Sequence, residues 1–118
     1  GYIVCAPGEV PSRVSIDQHT YVAAVTRGLP VDVDLIPALL NTPAPYVGLI
    51  GSRRRWALTA KALEEKSITR EQLARLHAPI GLELQAETPQ EIAVSILAEI
   101  TMTRRGGDGR PMRWLGED

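Results

Sequence analysis

The chain has 118 residues, the size of one domain, with an apolar fraction of 44% and a charged fraction of 23%, ordinary values for a globular fold rather than a disordered segment. Its 13 Lys+Arg against 14 Asp+Glu leave a net charge of -1, which argues against a dedicated nucleic-acid or anionic-membrane binder. One cysteine, Cys5, excludes an internal disulfide and a cysteine zinc cage, and no apolar run approaches the ~20 residues of a membrane span, so a reducing cytoplasm is the expectation.

Tyr2 to Ala6 (YIVCA) is a short β-favouring run stopped by Pro7 and Gly8, and it predicts a buried strand with Cys5 as a packed core thiol. From Pro7 to Gln18 there is little periodicity, which reads as loop. Thr20 to Val25 (TYVAAV) is nearly continuous in apolar content, as a parallel strand covered on both faces would be. His19 falls at its amino edge, where it reads as surface. Asp32 or Asp34 is the expected cap of a helix through Leu40, with Pro37 placed in the first turn.

Tyr46 to Ile50 (YVGLI) predicts a further strand, and Gly51-Ser52 turns it into a helix from about Arg53 to Lys66, with Trp56, Ala60 and Leu63 as its buried stripe. Thr69 and Gln72 form a capping box for a short helix ending near His77. Thr88, Pro89 and Glu91 open the last helix, whose Ile92, Ala93, Val94, Ile96, Leu97, Ala98 and Ile100 predict burial on most sides. The tail from Gly106 to Asp118 is Gly-rich and polar, expected to be frayed. Strands alternating with helices mean a short parallel sheet of about three strands, an α/β fold. The chain opens on Gly1 before an apolar run, which reads as a portion of something longer.

Ligands of open parallel sheets gather where strands end in loops leading to helix N-termini. Of two such loops, Thr26-Arg27-Gly28 and Gly51 to Arg55, the second is the more informative. Three arginines in a first helical turn oppose the helix dipole, each by ~0.3–1 kcal/mol when exposed, and an anion bound there would reverse the sign. Gly51 admits a phosphate to the backbone, Ser52 can cap and donate, and guanidinium forks match phosphate. The alternative is that the arginines reach acids such as Glu83 or Glu87. His77 and Pro79-Ile80-Gly81 could face a ligand, although a histidine closing a short helix is the commoner case. No G-x-G-x-x-G, Walker A loop, H-E-x-x-H or nucleophile elbow is present, and no catalytic constellation emerges.

YVGLIGSRRR (Tyr46 to Arg55), LARLHAPIGLEL (Leu73 to Leu84) and AETPQEIAVSILAEI (Ala86 to Ile100), in this order, resemble the C-terminal Rossmann-like domain of the XdhC/CoxI family. The resemblance covers about Ile16 to Arg104. It implies that residues 1–105 are the C-terminal half of such a domain, followed by the tail at 106–118. Members are accessory proteins, not enzymes, that bind molybdenum cofactor (a molybdopterin), support its sulfuration and deliver it to molybdenum hydroxylases such as xanthine dehydrogenase. The implied ligand-facing residues are Gly48, Gly51, Ser52, Arg53, Arg54, His77, Pro79 and Gly81, with no catalytic or metal-ligating residue. The family's glycine-rich strand-turn-helix and its cysteine-bearing N-terminal domain are absent from this sequence, and Arg27 stands where many relatives have histidine. A different class of reading is an interaction module that binds no ligand, in which the apolar helix from Thr88 to Thr103 packs against another subunit, as in a homodimer, or against the missing half-domain. A nucleotide-dependent oxidoreductase or nucleotidyltransferase is the least supported, because its fingerprint is missing.

Overall fold

The computed structural model describes residues 1–114 and residue 116. The chain divides into two compact units, Gly1–Ile80 and Gly81–Asp118, inside the span 1–105 expected to form one domain.

In the first unit a 3-10 turn (Pro7–Glu9) runs into the short helix α1 (Val10–Arg13), followed by β1 (Tyr21–Ala24), α2 (Leu29–Leu40), β2 (Tyr46–Leu49), α3 (Arg53–Glu65), α4 (Arg70–Leu73) and β3 (Leu76–His77). The strands form one parallel sheet in the order β1-β2-β3, with Tyr21 opposite Tyr46 and Gly48 opposite His77. The expected α/β architecture with a short parallel sheet of three strands is therefore present. Its membership differs from expectation.

Tyr2 to Ala6 is not a strand: it pairs with nothing among the described residues, and Tyr2 and Val4 lie exposed. Propensity alone does not make a strand without a hydrogen-bonding neighbour. Cys5 is accordingly half-buried and outside the core clusters. The third strand is β3, two residues long inside a segment whose capping box predicts a helix. That helix is present but stops at Leu73.

The helix after β1 begins a turn earlier than expected, with Gly28 at the N-cap and Pro30 in the first turn. Pro37 therefore lies in the interior, where it removes one backbone hydrogen bond near the end of α2. The shift also moves Asp32 from cap to core, where it is fully buried. On the sheet face formed by Ala24, Val47 and Leu49, α2 contributes Ile36, Leu39 and Leu40 and α3 contributes Leu63, with Trp56 packed against the same cluster. The predicted stripe of α3 is buried at Leu63 and half-buried at Trp56 and Ala60, and Thr59 is the helix's other buried residue.

The second unit is built on α5 (Pro89–Arg105). Thr88 Oγ1 accepts from the Glu91 amide at 3.1 Å, and the Glu91 carboxylate accepts from the amides of Thr88 and Glu87 at 2.9 and 3.0 Å. Gly106, at φ 79°, ends the helix in the left-handed conformation. The expectation that apolar residues bury this helix on most sides fails. Its buried residues are Ser95 and Glu99, while Val94 and Leu97 are exposed. The reason is hydrogen bonding: Ser95 Oγ donates to the Leu82 carbonyl at 2.6 Å, and Glu99 Oε1 accepts the Gly81 amide at 3.1 Å. Beyond Gly106 the described residues form no helix or strand; positions 115, 117 and 118 of the expected tail lie outside the described residues. No helix is long and apolar enough to cross a membrane among the described residues.

The two amide donors hold the Glu91 carboxyl below its usual value of 4.5. Because the folded value is the lower one, this contribution is present above pH 4.5 and is lost as pH falls through the depressed value. Glu91→Gln keeps an acceptor oxygen but cannot titrate, so its thermal melting is expected to vary less with acidification below that pH than the wild type's. Parallel melting-versus-pH curves would contradict this cap assignment.

Candidate functional site

The carboxyl ends of β1 and β2 lie side by side, with the Ile50 amide donating to the Ala24 carbonyl at 3.0 Å. From there Thr26-Arg27-Gly28 leads into α2 and Gly51-Ser52 into α3. These two loops are bound together by a polar cluster built on Arg55. Its Nη1 donates to the Thr26 carbonyl at 3.2 Å, and its Nη2 donates to Thr26 Oγ1 at 2.6 Å and to Asp32 Oδ2 at 3.1 Å. Thr26 Oγ1 in turn donates to Asp32 Oδ1. The Asp32 side chain is completely buried and that of Arg55 is 27% exposed. A carboxylate in such a place is tolerated because each oxygen has a partner, one of them charged.

Gly51 is where this clamp folds over the loop. At φ 141° it is in a region that L side chains rarely adopt, and a Cβ there would stand 3.1 Å from Arg55 Cδ. The glycine therefore lets the Arg55 stem cross the loop, besides leaving the backbone open. Ser52 caps α3, its Oγ accepting from the Arg55 amide at 3.0 Å. That bond uses a lone pair and leaves the hydroxyl proton available to an acceptor.

Of the three adjacent arginines, only Arg55 is absorbed by the protein. Arg53 and Arg54 are exposed and form no ion pair or hydrogen bond with another described side chain. The alternative in which the arginines reach acidic side chains is thus realised among the described residues for Arg55 alone, with Asp32 as the acid. The amides of Arg53 and Arg54 are first-turn donors with no intrahelical acceptor. Next to them, Ser52, Arg54 and Arg55 line a shallow cleft of about 290 Å³ with Leu29, Leu58 and Thr59. Leu29 is 39% and Leu58 61% exposed, so the cleft combines an apolar wall with a cationic rim. Such a surface suits a ligand with a flat apolar portion and an anionic end.

The other residues marked out by the sequence have structural partners of their own. Gly48 is buried in β2, where a Cβ would meet Ile80 at 2.5 Å and Tyr46 Oη at 2.8 Å, so its missing side chain makes room for protein atoms. His77 stacks on Tyr46, with ring centroids 4.5 Å apart, and lines a cleft with Pro43, Pro45 and Arg75 on the approach to β2. Pro79 follows a cis peptide bond after Ala78. Gly81 belongs to the second unit, where a Cβ would collide with Ser95 Oγ. Gly48 and His77 are register partners in β2 and β3, and the Ile80 amide donates to the Leu49 carbonyl at 2.9 Å, so the segment after β3 runs along the end of β2. His19 is exposed, as expected for a surface position. Asp34 is exposed and lies 3.9 Å from Lys66 Nζ. No group of three or more His, Cys, Asp or Glu side chains is arranged to hold a metal among the described residues.

Sequence reasoning missed the Thr26–Asp32–Arg55 cluster because its members are up to 29 positions apart and each has a local explanation. Leu58 carried a signal that could have been used: it is a large apolar residue off the Trp56–Ala60–Leu63 stripe.

The profile of the XdhC Rossmann domain matches residues 3–100. The uncharacterized protein YqeB of Escherichia coli K12 is 44% identical over 66% of this chain and 14% of its own length. A probable xanthine dehydrogenase subunit of Bacillus subtilis 168 is 32% identical over 87% of the chain and 29% of its own. The molybdenum cofactor insertion chaperone PaoD of E. coli K12 is 29% identical over 79% of the chain and 29% of its own. The chain thus spans less than a third of the length of these relatives. A crystal structure of a xanthine dehydrogenase from Bacillus halodurans superposes with a TM-score of 0.70 at 26% identity, covering 91% of this chain and 30% of that one.

Removing Arg55 alone would leave a buried carboxylate without its cation. Arg55→Ala is expected to cost about 3 kcal/mol or more in chemical denaturation. Adding Asp32→Asn to it should restore part of that loss; additive losses would show that the two side chains do not act as a pair. The ordered strand, glycine and arginine motifs, the parallel sheet and the match over residues 3–100 make this chain a member of the XdhC Rossmann domain family.

Proposed function

We propose that this chain is the cofactor-binding module of an accessory protein, not a catalyst, which takes up molybdenum cofactor as cargo and assists its sulfuration and transfer into a molybdenum hydroxylase such as xanthine dehydrogenase. The cytoplasm is the compartment this role requires. The name of the chaperone PaoD and that of the B. subtilis relative support the reading at family level.

The observation that carries it here is the pair of exposed arginines, Arg53 and Arg54, at the start of α3, which have no partner among the described residues. Molybdopterin ends in a phosphate, and the loop offers a phosphate four kinds of donor: open backbone at Gly51, the Ser52 hydroxyl, two first-turn amides and two guanidinium groups. The apolar flank of Leu29 and Leu58 suits the ring portion of the same molecule. Arg55 is assigned a positioning role, since its guanidinium is engaged by Thr26 and Asp32. Gly48, His77 and Gly81, implied by the family resemblance, are assigned to packing in this reading.

Arg53→Ala combined with Arg54→Ala should weaken molybdopterin binding by roughly tenfold or more while stability holds or rises slightly, since two charges opposing the helix dipole are removed. Anaerobic titration followed by cofactor fluorescence, with denaturation curves on the same samples, measures both. Wild-type affinity in the double variant would overturn the assignment of the phosphate site. Absence of binding by a folded wild-type chain would favour the interaction-module reading.

A further inference from the structure

The loop after β1 brings a further cation to the cleft beside the arginine loop. Arg55 fixes Thr26 twice, bonding to its carbonyl at 3.2 Å and to its hydroxyl at 2.6 Å. Three residues later, Leu29 forms a wall of the cleft that Ser52, Arg54 and Leu58 also line. Only Arg27 and Gly28 lie between these two anchored positions. The backbone of Arg27 is therefore held at the rim of the cleft.

Arg27 is exposed and forms no ion pair or hydrogen bond with another described side chain. The acids nearest to it in sequence on α2 are already engaged. Asp32 has both carboxylate oxygens bonded within the Thr26–Arg55 cluster, and Asp34 stands beside Lys66. No acidic side chain lines the cleft. Arg27, Arg53 and Arg54 thus stand on two loops that the guanidinium of Arg55 ties together. Like charges so placed repel one another, and anionic groups seated between them reverse that cost. The two loops leave neighbouring strands, which lie ~4.8 Å apart. A second anionic group joined directly to a phosphate on the α3 loop would therefore come within reach of Arg27.

We propose that Arg27 is a specificity-determining residue of this site, selecting a cargo that carries a diphosphate over one that carries a single phosphate. The inference rests on the cofactor-binding reading of the loop and deepens it. Arg53 and Arg54 take one phosphoryl group and Arg27 takes the next, each guanidinium fork meeting two oxygens. A diphosphate reaches such a site in a nucleotide-extended molybdopterin or in a free nucleoside diphosphate. The apolar wall of Leu29 and Leu58 serves the organic part of either.

Titrations of the folded chain with inorganic phosphate and with pyrophosphate, at one fixed ionic strength and followed by amide NMR, test it. The wild type should bind pyrophosphate roughly tenfold more tightly than phosphate. Arg27→Ala should remove most of that preference and leave phosphate affinity nearly unchanged. Arg53→Ala with Arg54→Ala should weaken both anions. Arg27→Lys keeps the charge without the fork and should recover only part of the preference. Equal affinities in the wild type would overturn the proposal, as would an Arg27→Ala variant that weakens both anions alike or keeps the preference. Those results leave the cofactor-binding reading standing wherever the double variant still loses phosphate. A folded wild type that binds neither anion nor molybdopterin would overturn both. ADP against AMP, and nucleotide-extended against plain molybdopterin, then identify the source. The diphosphate member of one pair should bind more tightly and lose that advantage in Arg27→Ala; no advantage in either pair would overturn the proposal.

Discussion

The interaction on which the candidate site depends is the buried pairing of Arg55 with Asp32. Two loops at the carboxyl ends of adjacent parallel strands have no ladder to hold them once the strands end. Here a single guanidinium joins them, bonding to Thr26 in one loop while its stem crosses Gly51 in the other. Asp32, fully buried one turn into α2, fixes that guanidinium from behind. The cluster also fixes the first turn of α3, because Arg55 is the residue whose amide Ser52 caps. Everything the loop can offer an anion is therefore set on a frame that the neighbouring strand and helix define.

That arrangement divides three consecutive arginines into two roles. Helical geometry points successive side chains about 100° apart, so Arg53, Arg54 and Arg55 cannot share one environment. Arg55 turns inward to a buried carboxylate, which it neutralises. Arg53 and Arg54 remain in solvent beside the open donors of the helix start, with no acidic side chain to quench them among the described residues. The result is a local positive site on a chain whose net charge is -1. Composition averages such a site away; only its placement at a strand end makes it visible.

Features governed by short-range chemistry were legible in the sequence. The capping boxes at Thr69–Gln72 and Thr88–Glu91, the Ser52 cap, the strand at Tyr46 and the Trp56–Ala60–Leu63 stripe all depend on residues within a few positions of one another. Those that failed depend on distant partners. Tyr2 to Ala6 has the composition of a strand and no neighbour to pair with, whereas Leu76–His77 has little strand character and pairs because β2 lies beside it. Asp32 reads as a cap until Pro30 moves the helix start upstream. The last helix shows the same limit: seven apolar residues predict burial, but hydrogen bonds of Ser95 and Glu99 decide which side faces inward. The arginine cluster itself was legible; the separation of Arg55 from its two neighbours was not.

In the proposed role, the Gly51 to Arg54 loop receives the phosphate of the cargo. Amide-resolved NMR of the folded chain, titrated with molybdopterin, tests this most directly, because each backbone donor in the loop reports separately. Saturable shifts concentrated at Gly51, Ser52, Arg53 and Arg54 are expected, with smaller ones at Leu29 and Leu58. Shifts centred on His77 and Gly81 instead, with the α3 loop unmoved while cofactor binds, would contradict it.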